Sequence, residues 1–135
     1  MERRDLGDLL ASLVRVVVER ETPLLEERGL DMWEYVVLLR LAGGAAPTQA
    51  QLAAAVRRDK TRLIPILDRL AARGLLERTP DPADRRNRIV ALTDEGRALL
   101  ADCRAAVAAM EDELLGTLRP EDAAALRRAL EAVAP

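Results

Sequence analysis

Thirteen residues constrain this chain more than any others: the run from Asp81 to Thr93, Asp-Pro-Ala-Asp-Arg-Arg-Asn-Arg-Ile-Val-Ala-Leu-Thr. Pro80, Asp81, Pro82, Asp84 and Asn87 are turn formers, proline by fixing φ and Asp or Asn by bonding their own backbone. The apolar run that follows, Arg88 to Leu92, reads as a strand, and Leu75 to Thr79 before it is a second strand candidate. The segment is therefore expected to be a hairpin with an arginine-dense tip. Arginines on a loop between two strands suit contact with phosphate or with a narrow minor groove, whereas the plain alternative is a solvated charged turn.

The residues upstream narrow the choice. Thr48 is placed to cap a short helix, and Gln51 three residues on can close a capping box over the Pro47 to Val56 stretch. Arg57 and Arg58 make a turn. Asp59 then caps a helix over residues 60–73, which Gly74 ends. Leu63, Ile66, Leu67 and Leu70 fall at i, i+3, i+4 and i+7, so one face is buried. Lys60, Thr61, Arg62, Pro65 and Arg69 point away from that stripe. Two helices joined by a tight turn and followed by an arginine-tipped hairpin form a winged helix-turn-helix, so the fold class is mostly α with a small β-hairpin wing.

Charge follows the same segment. The chain carries a net −2, which alone argues against nucleic acid. Residues 1–46 carry −3, residues 47–90 carry +5 and residues 91–135 carry −4. A basic middle between acidic flanks is what phosphate contact by one face requires.

The run from Asp59 to Arg78, then Asp84-Arg-Arg, then Val90-Ala-Leu-Thr-Asp-Glu-Gly, resembles the MarR family of bacterial transcriptional regulators. A helix ending Leu-x-x-x-Gly-Leu, an Asp-x-Arg wing and a Leu-Thr-x-x-Gly helix start carry the resemblance. Gly29-Leu30 through Leu41 matches the helix that precedes the family's DNA-reading pair, and the likeness runs over roughly residues 5–133. The resemblance implies an obligate homodimer on a pseudo-palindromic operator in double-stranded DNA, with affinity set by a small molecule or by thiol oxidation.

The two ends look built for each other. Leu6, Leu9, Leu10, Leu13, Val14, Val17 and Val18 form a helical stripe expected to stop before Pro23. Thr93 caps a long helix bearing Leu99, Leu100, Cys103, Val107, Met110, Leu114 and Leu115, and Pro120 opens a last helix with Leu126, Leu130 and Val133. The expected organisation is one domain over 1–135, with terminal dimerisation helices in 1–22 and 93–135 around a DNA-binding lobe in 30–92. Intrachain packing of the two ends is the simpler alternative to a dimer. No apolar stretch is long enough to span a membrane, Asp5, Asp8, Arg15 and Glu19 interrupt any signal-like run, and a single cysteine fits a reducing cytoplasm.

Roles follow. Thr61 and Arg62 are the first choices for base edges or adjacent phosphates, and Lys60 and Arg69 for phosphates. Pro65 either bends its helix along the groove, lies against a thymine methyl, or is simply tolerated near the helix start. Thr48 and Gln49 suit a phosphate held by free amides. The family pattern puts Arg86 into the groove, oriented by Asp84, with Arg85 on the backbone; Asp84 also suits a turn bonding its own backbone.

The family's ligand pockets border the helix bearing Trp33 and Tyr35, whose faces suit a phenolic effector, with Met32 and Arg40 as an apolar wall and an anion partner. Both rings also read as ordinary core or interface residues. Cys103 lies on an apolar stripe and reads as an inert thiol, which disfavours oxidation sensing. With no histidine and no glycine-rich phosphate loop (Gly43-Gly44 is a plain turn), the chain is not expected to be an enzyme, and no cofactor or metal site is expected. The rival to a regulator is a winged helix used for protein contact, or a ligand-binding module without specific DNA affinity.

Overall fold

Helix ends fix this architecture, because each terminus leaves amides or carbonyls that must find partners. The computed structural model describes residues 2–43 and 47–134, less the side chain of Lys60. Among them run α1 (Leu6–Glu26), α2 (Met32–Ala42), α3 (Gln49–Ala55), α4 (Lys60–Ala72), β1 (Leu76–Pro80), β2 (Arg88–Leu92), α5 (Asp94–Leu115) and α6 (Pro120–Val133). Gly43 caps the end of α2; Gly44, its partner in the expected turn, lies outside the described residues.

Contacts divide the chain into two compact units, one of Thr22–Arg104 and one of Met1–Glu21 with Ala105–Pro135. In the first, α2 and α3 both begin in full capping boxes, Asp31 with Glu34 and Thr48 with Gln51. The stripe read on α4 is the core of this unit: Leu63, Leu67 and Leu70 are wholly buried, as are Val37 and Leu38 from α2 and Val90 from β2. β1 and β2 pair antiparallel with Leu76 opposite Leu92 and Pro80 opposite Arg88. The first strand thus begins one residue later than the pattern suggested.

α1 departs from its expectation. It does not stop before Pro23 but runs on to Glu26, with Pro23 inside it. Proline removes one helical hydrogen bond, and the end of the helix offers compensation. Leu25 is buried at 1% exposure, and Arg28 Nη1 donates to the Leu24 carbonyl at 2.9 Å. Gly29, at φ +75°, then closes the helix. Its amide donates to the Glu26 carbonyl and that of Leu30 to the Leu25 carbonyl, the paired 5→2 and 6→1 bonds of a Schellman end. α4 closes the same way at Gly74 (φ +73°), through Gly74 N–H to the Ala71 carbonyl and Leu75 N–H to the Leu70 carbonyl.

The Leu-Thr-x-x-Gly motif now has a physical cause. Thr93 Oγ1 donates to the Gly74 carbonyl at 2.6 Å and accepts from the Gly96 amide at 3.0 Å, so one hydroxyl caps α5 and ties it to the end of α4. A Cβ on Gly96 would lie 2.0 Å from the Leu75 carbonyl oxygen, which only glycine avoids. In the second unit, no residue of α6 is buried, and Leu6, Leu9, Val14 and Val18 of α1 stand exposed with Val133.

Candidate nucleic-acid interface

Asp59 Oδ1 accepts the Arg62 amide at 2.9 Å, which starts α4 at Lys60 and sets the phase of its outer face. Thr61, Arg62 and Pro65 are all exposed on that face, at i, i+1 and i+4. The Arg62 side chain is 72% exposed and its Nε lies 3.6 Å from Asp59 Oδ2, a loose pair that leaves the guanidinium able to reach outward. The side chain of Lys60 lies outside the described residues. Pro65 is inside α4 rather than ending it, and its ring is on the surface, so burial places no demand on it.

Two residues expected to contact phosphate also have partners within the protein. Arg69 does not stand free: its Nη2 lies 3.5 Å from Asp31 Oδ2 and its Nε 3.8 Å from Glu34 Oε2. Those two carboxylates form the capping box of α2, and Glu34 is buried, so Arg69 balances a charge that would otherwise sit poorly solvated. The Gln49 side chain is buried as well and lines a cleft with Ile64, Arg78 and Arg88, so a phosphate there would be met by its main-chain amide at the start of α3. Thr48 is half-buried; its hydroxyl accepts the Gln51 amide at 3.2 Å while Gln51 Oε1 accepts the Thr48 amide at 2.9 Å.

The wing is built by its aspartates. Asp81 Oδ1 accepts the Ala83 amide at 2.9 Å, and Asp84 Oδ1 accepts the Arg86 amide at 3.1 Å. The same Asp84 oxygen faces Arg86 Nε at 3.3 Å, so turn-forming and orienting roles coexist in one carboxylate. Arg86 projects with its side chain 92% exposed, and Arg85 is exposed beside it. The hairpin is anchored through backbone: the Val90 amide donates to the Pro47 carbonyl at 2.9 Å, and Ile89 forms a bridge with Thr48. That bridge brings the start of α3 against the return strand of the wing.

The four side chains expected to border an effector do not share one environment. Tyr35 is buried in the core, Met32 is half-buried, and Trp33 and Arg40 are exposed. The Trp33 ring is occupied by Arg58, whose guanidinium carbon stands 3.8 Å from the ring centroid, a cation–π pair that sequence reading missed. Cys103 is buried, and that burial pushes its thiol above the usual range even though Arg28 nearby pulls the other way. Among the described residues no group of three or more His, Cys, Asp or Glu side chains could hold a metal ion, and no helix is long and apolar enough to cross a membrane.

A capped second helix with a polar outer face, anchored beside an arginine-tipped hairpin, defines a winged helix-turn-helix of the DNA-reading kind. Comparison with known proteins narrows this. A profile of the MarR family matches residues 28–87. The chain is 31% identical to the multiple antibiotic resistance protein MarR of Escherichia coli over 131 residues, covering 93% of this chain and 91% of that protein. It is 34% identical over 100 residues to the HTH-type transcriptional repressor NicR of Pseudomonas putida, covering 71% of this chain but only 63% of NicR. The apo crystal structure of Escherichia coli MarR superposes over the full length of both chains, with a TM-score of 0.91 at 28% identity. The transcriptional repressor CouR, bound to a DNA duplex, does so with a TM-score of 0.84 at 31% identity. CouR of Rhodococcus jostii bound to p-coumaroyl-CoA matches over 96% of this chain and 91% of that one, with a TM-score of 0.77 at 28% identity. The chain belongs to the MarR family.

Proposed function

We propose that this protein is a homodimeric, cytoplasmic regulator of transcription that binds a pseudo-palindromic operator in double-stranded DNA as a repressor, is released by a small-molecule effector, and has no enzymatic activity of its own. The observation that carries the reading is the outward face of α4, Thr61, Arg62 and Pro65, set beside a wing whose Arg86 is 92% exposed and steered by Asp84. Thr61 and Arg62 read base edges, where arginine pairs bidentately with guanine; Arg86 enters the minor groove; Arg85 and Lys60 meet phosphates.

Dimerisation is supported by the apolar residues the terminal helices leave in solvent, Leu6, Leu9, Val14 and Val18 on α1 and Val133 on α6. Large apolar side chains left in solvent mark an interface where they gather, and two-fold pairing is the commonest way to close one. A two-fold would set the two α4 helices about one DNA turn apart, roughly 34–36 Å. Repression and release rest on the relatives: NicR and CouR are named repressors, and CouR has been seen with DNA and with a thioester of an aromatic acid. An aromatic effector would meet Trp33, with Met32 beside it and Arg40 as anion partner, while Tyr35 on the same helix is buried in the core.

The test is titration of the purified protein onto duplex DNA from the region upstream of its own gene, at two salt concentrations. The expected result is tight, salt-sensitive binding at one dimer per site. Weak binding that ignores sequence would overturn the reading.

A further inference from the structure

Three helices of the lobe end in the same hydrogen-bond pattern, but only two of them end on glycine. α1 closes at Gly29 and α4 at Gly74, both with positive φ. α3 closes with the Arg57 amide donating to the Ala54 carbonyl at 3.3 Å and the Arg58 amide to the Ala53 carbonyl at 3.0 Å, again the 5→2 and 6→1 pair. The residue in the left-handed position there is Arg57, at φ +56°, the one non-glycine with positive φ among the described residues. A side chain in that region sets its Cβ against the following carbonyl oxygen, and glycine would relieve it. A strained residue kept where glycine serves better directs attention to what its side chain does.

Other basic residues of the lobe are already committed. Arg69 holds Asp31 and Glu34, Arg73 donates to the Gly29 carbonyl, Arg78 pairs with Asp68 at 2.7 Å, and Arg58 lies on Trp33. Arg57 is exposed, and its side chain has no hydrogen bond, ion pair or ring contact among the described residues. It sits in the turn that delivers α4, two residues before the Asp59 cap and five before Arg62. A helix that enters the major groove by its amino end carries the turn before it to the rim of that groove, where phosphates stand.

We propose that Arg57 is a DNA-backbone contact: held in the left-handed turn between α3 and α4, its guanidinium pairs with a phosphate beside the groove that α4 enters. This rests on the DNA-binding reading above. Because the contact is to phosphate, it adds affinity to every sequence equally.

The experiment compares the unaltered protein with Arg57→Gly and Arg57→Lys, on the duplex from upstream of its gene and on a scrambled duplex of equal length, over a salt series and with thermal unfolding in parallel. Arg57→Gly should melt about 3–6 °C higher, because the strain is gone, and yet bind DNA more weakly. The weakening should be about the same factor on both duplexes, with a salt slope shallower by about one unit per half-site. Arg57→Lys, which keeps the charge, should hold the slope. If Arg57→Gly binds with unchanged affinity and slope while the unaltered protein binds its operator, the assignment of Arg57 is overturned alone. If the unaltered protein itself binds neither duplex, the regulator reading falls and the Arg57 contact with it.

Discussion

The lobe from Thr22 to Arg104 and the terminal helices outside it solve burial in opposite ways. In the lobe, Leu63, Leu67, Leu70, Val37, Leu38 and Val90 are wholly shielded by the same chain. In the terminal unit, α6 buries nothing fully and α1 leaves Leu6 69% and Val14 58% exposed. The first closes its core within one copy, and the second leaves large apolar side chains in solvent. Self-sufficient cores fail when a side chain is shortened, whereas an open apolar face fails when a charge is put on it.

The largest effect should come from the closed core. Leu67→Ala leaves a cavity where nothing is exposed, and a loss of about 2–5 kcal/mol is expected in denaturant unfolding. A loss below about 1 kcal/mol would show that the lobe is looser than its burial implies. Next is the open face: Val14→Glu should separate the dimer in sedimentation, weakening it by about tenfold or more, while the lobe keeps its fold. A variant that stays dimeric would put the interface elsewhere.

A smaller change is expected at the wing, where no core is touched. Arg86→Ala should weaken operator binding by roughly 1 kcal/mol per half-site and flatten the salt slope by about one unit, with unfolding unchanged. Unaltered binding would reduce the wing tip to a solvated turn. The smallest effect is at Glu21, where burial first and the Glu111 charge second raise the carboxyl above its ordinary value. A raised value means the fold holds the proton more tightly than the unfolded chain does. That stabilisation is fully present below pH 4.5 and is lost as pH rises through the raised value. Glu21→Gln, neutral throughout, should therefore raise Tm by about a degree at pH 7 and by nothing at pH 4. An equal rise at both would mean packing, not charge, is responsible.

Local signals in the chain were sufficient for most of the fold. Thr48 with Gln51, Asp59, Gly74 and Thr93 act within a few residues of themselves, and each caps or closes the helix it was expected to. What failed was long-range. Pro23 was read as a stop because sequence shows the lost amide and hides the burial of Leu25 that carries the helix past it. The ion pairs of Arg69 were not legible because their partners, Asp31 and Glu34, lie 38 and 35 residues back. Gln49 and Tyr35 looked available because polarity and ring character do not reveal which way a residue faces. Arg57 was passed over as half of a turn, although a helix end followed by no glycine was a signal that the left-handed position would fall on a side chain.

The backbone anchoring of the wing has a consequence for how such a chain can change over time. The hairpin is fastened by the Val90 amide on the Pro47 carbonyl, by the bridge from Ile89 to Thr48, and by the Thr93 amide on the Leu75 carbonyl. Main-chain atoms are the same whatever residue supplies them. The exposed tip residues Arg85 and Arg86 can therefore drift in side chain and retune what they touch, while the Asp81 and Asp84 turns and the main-chain mounting are inherited intact. A family built on this plan can acquire new targets at the tip without having to reinvent the scaffold that holds it.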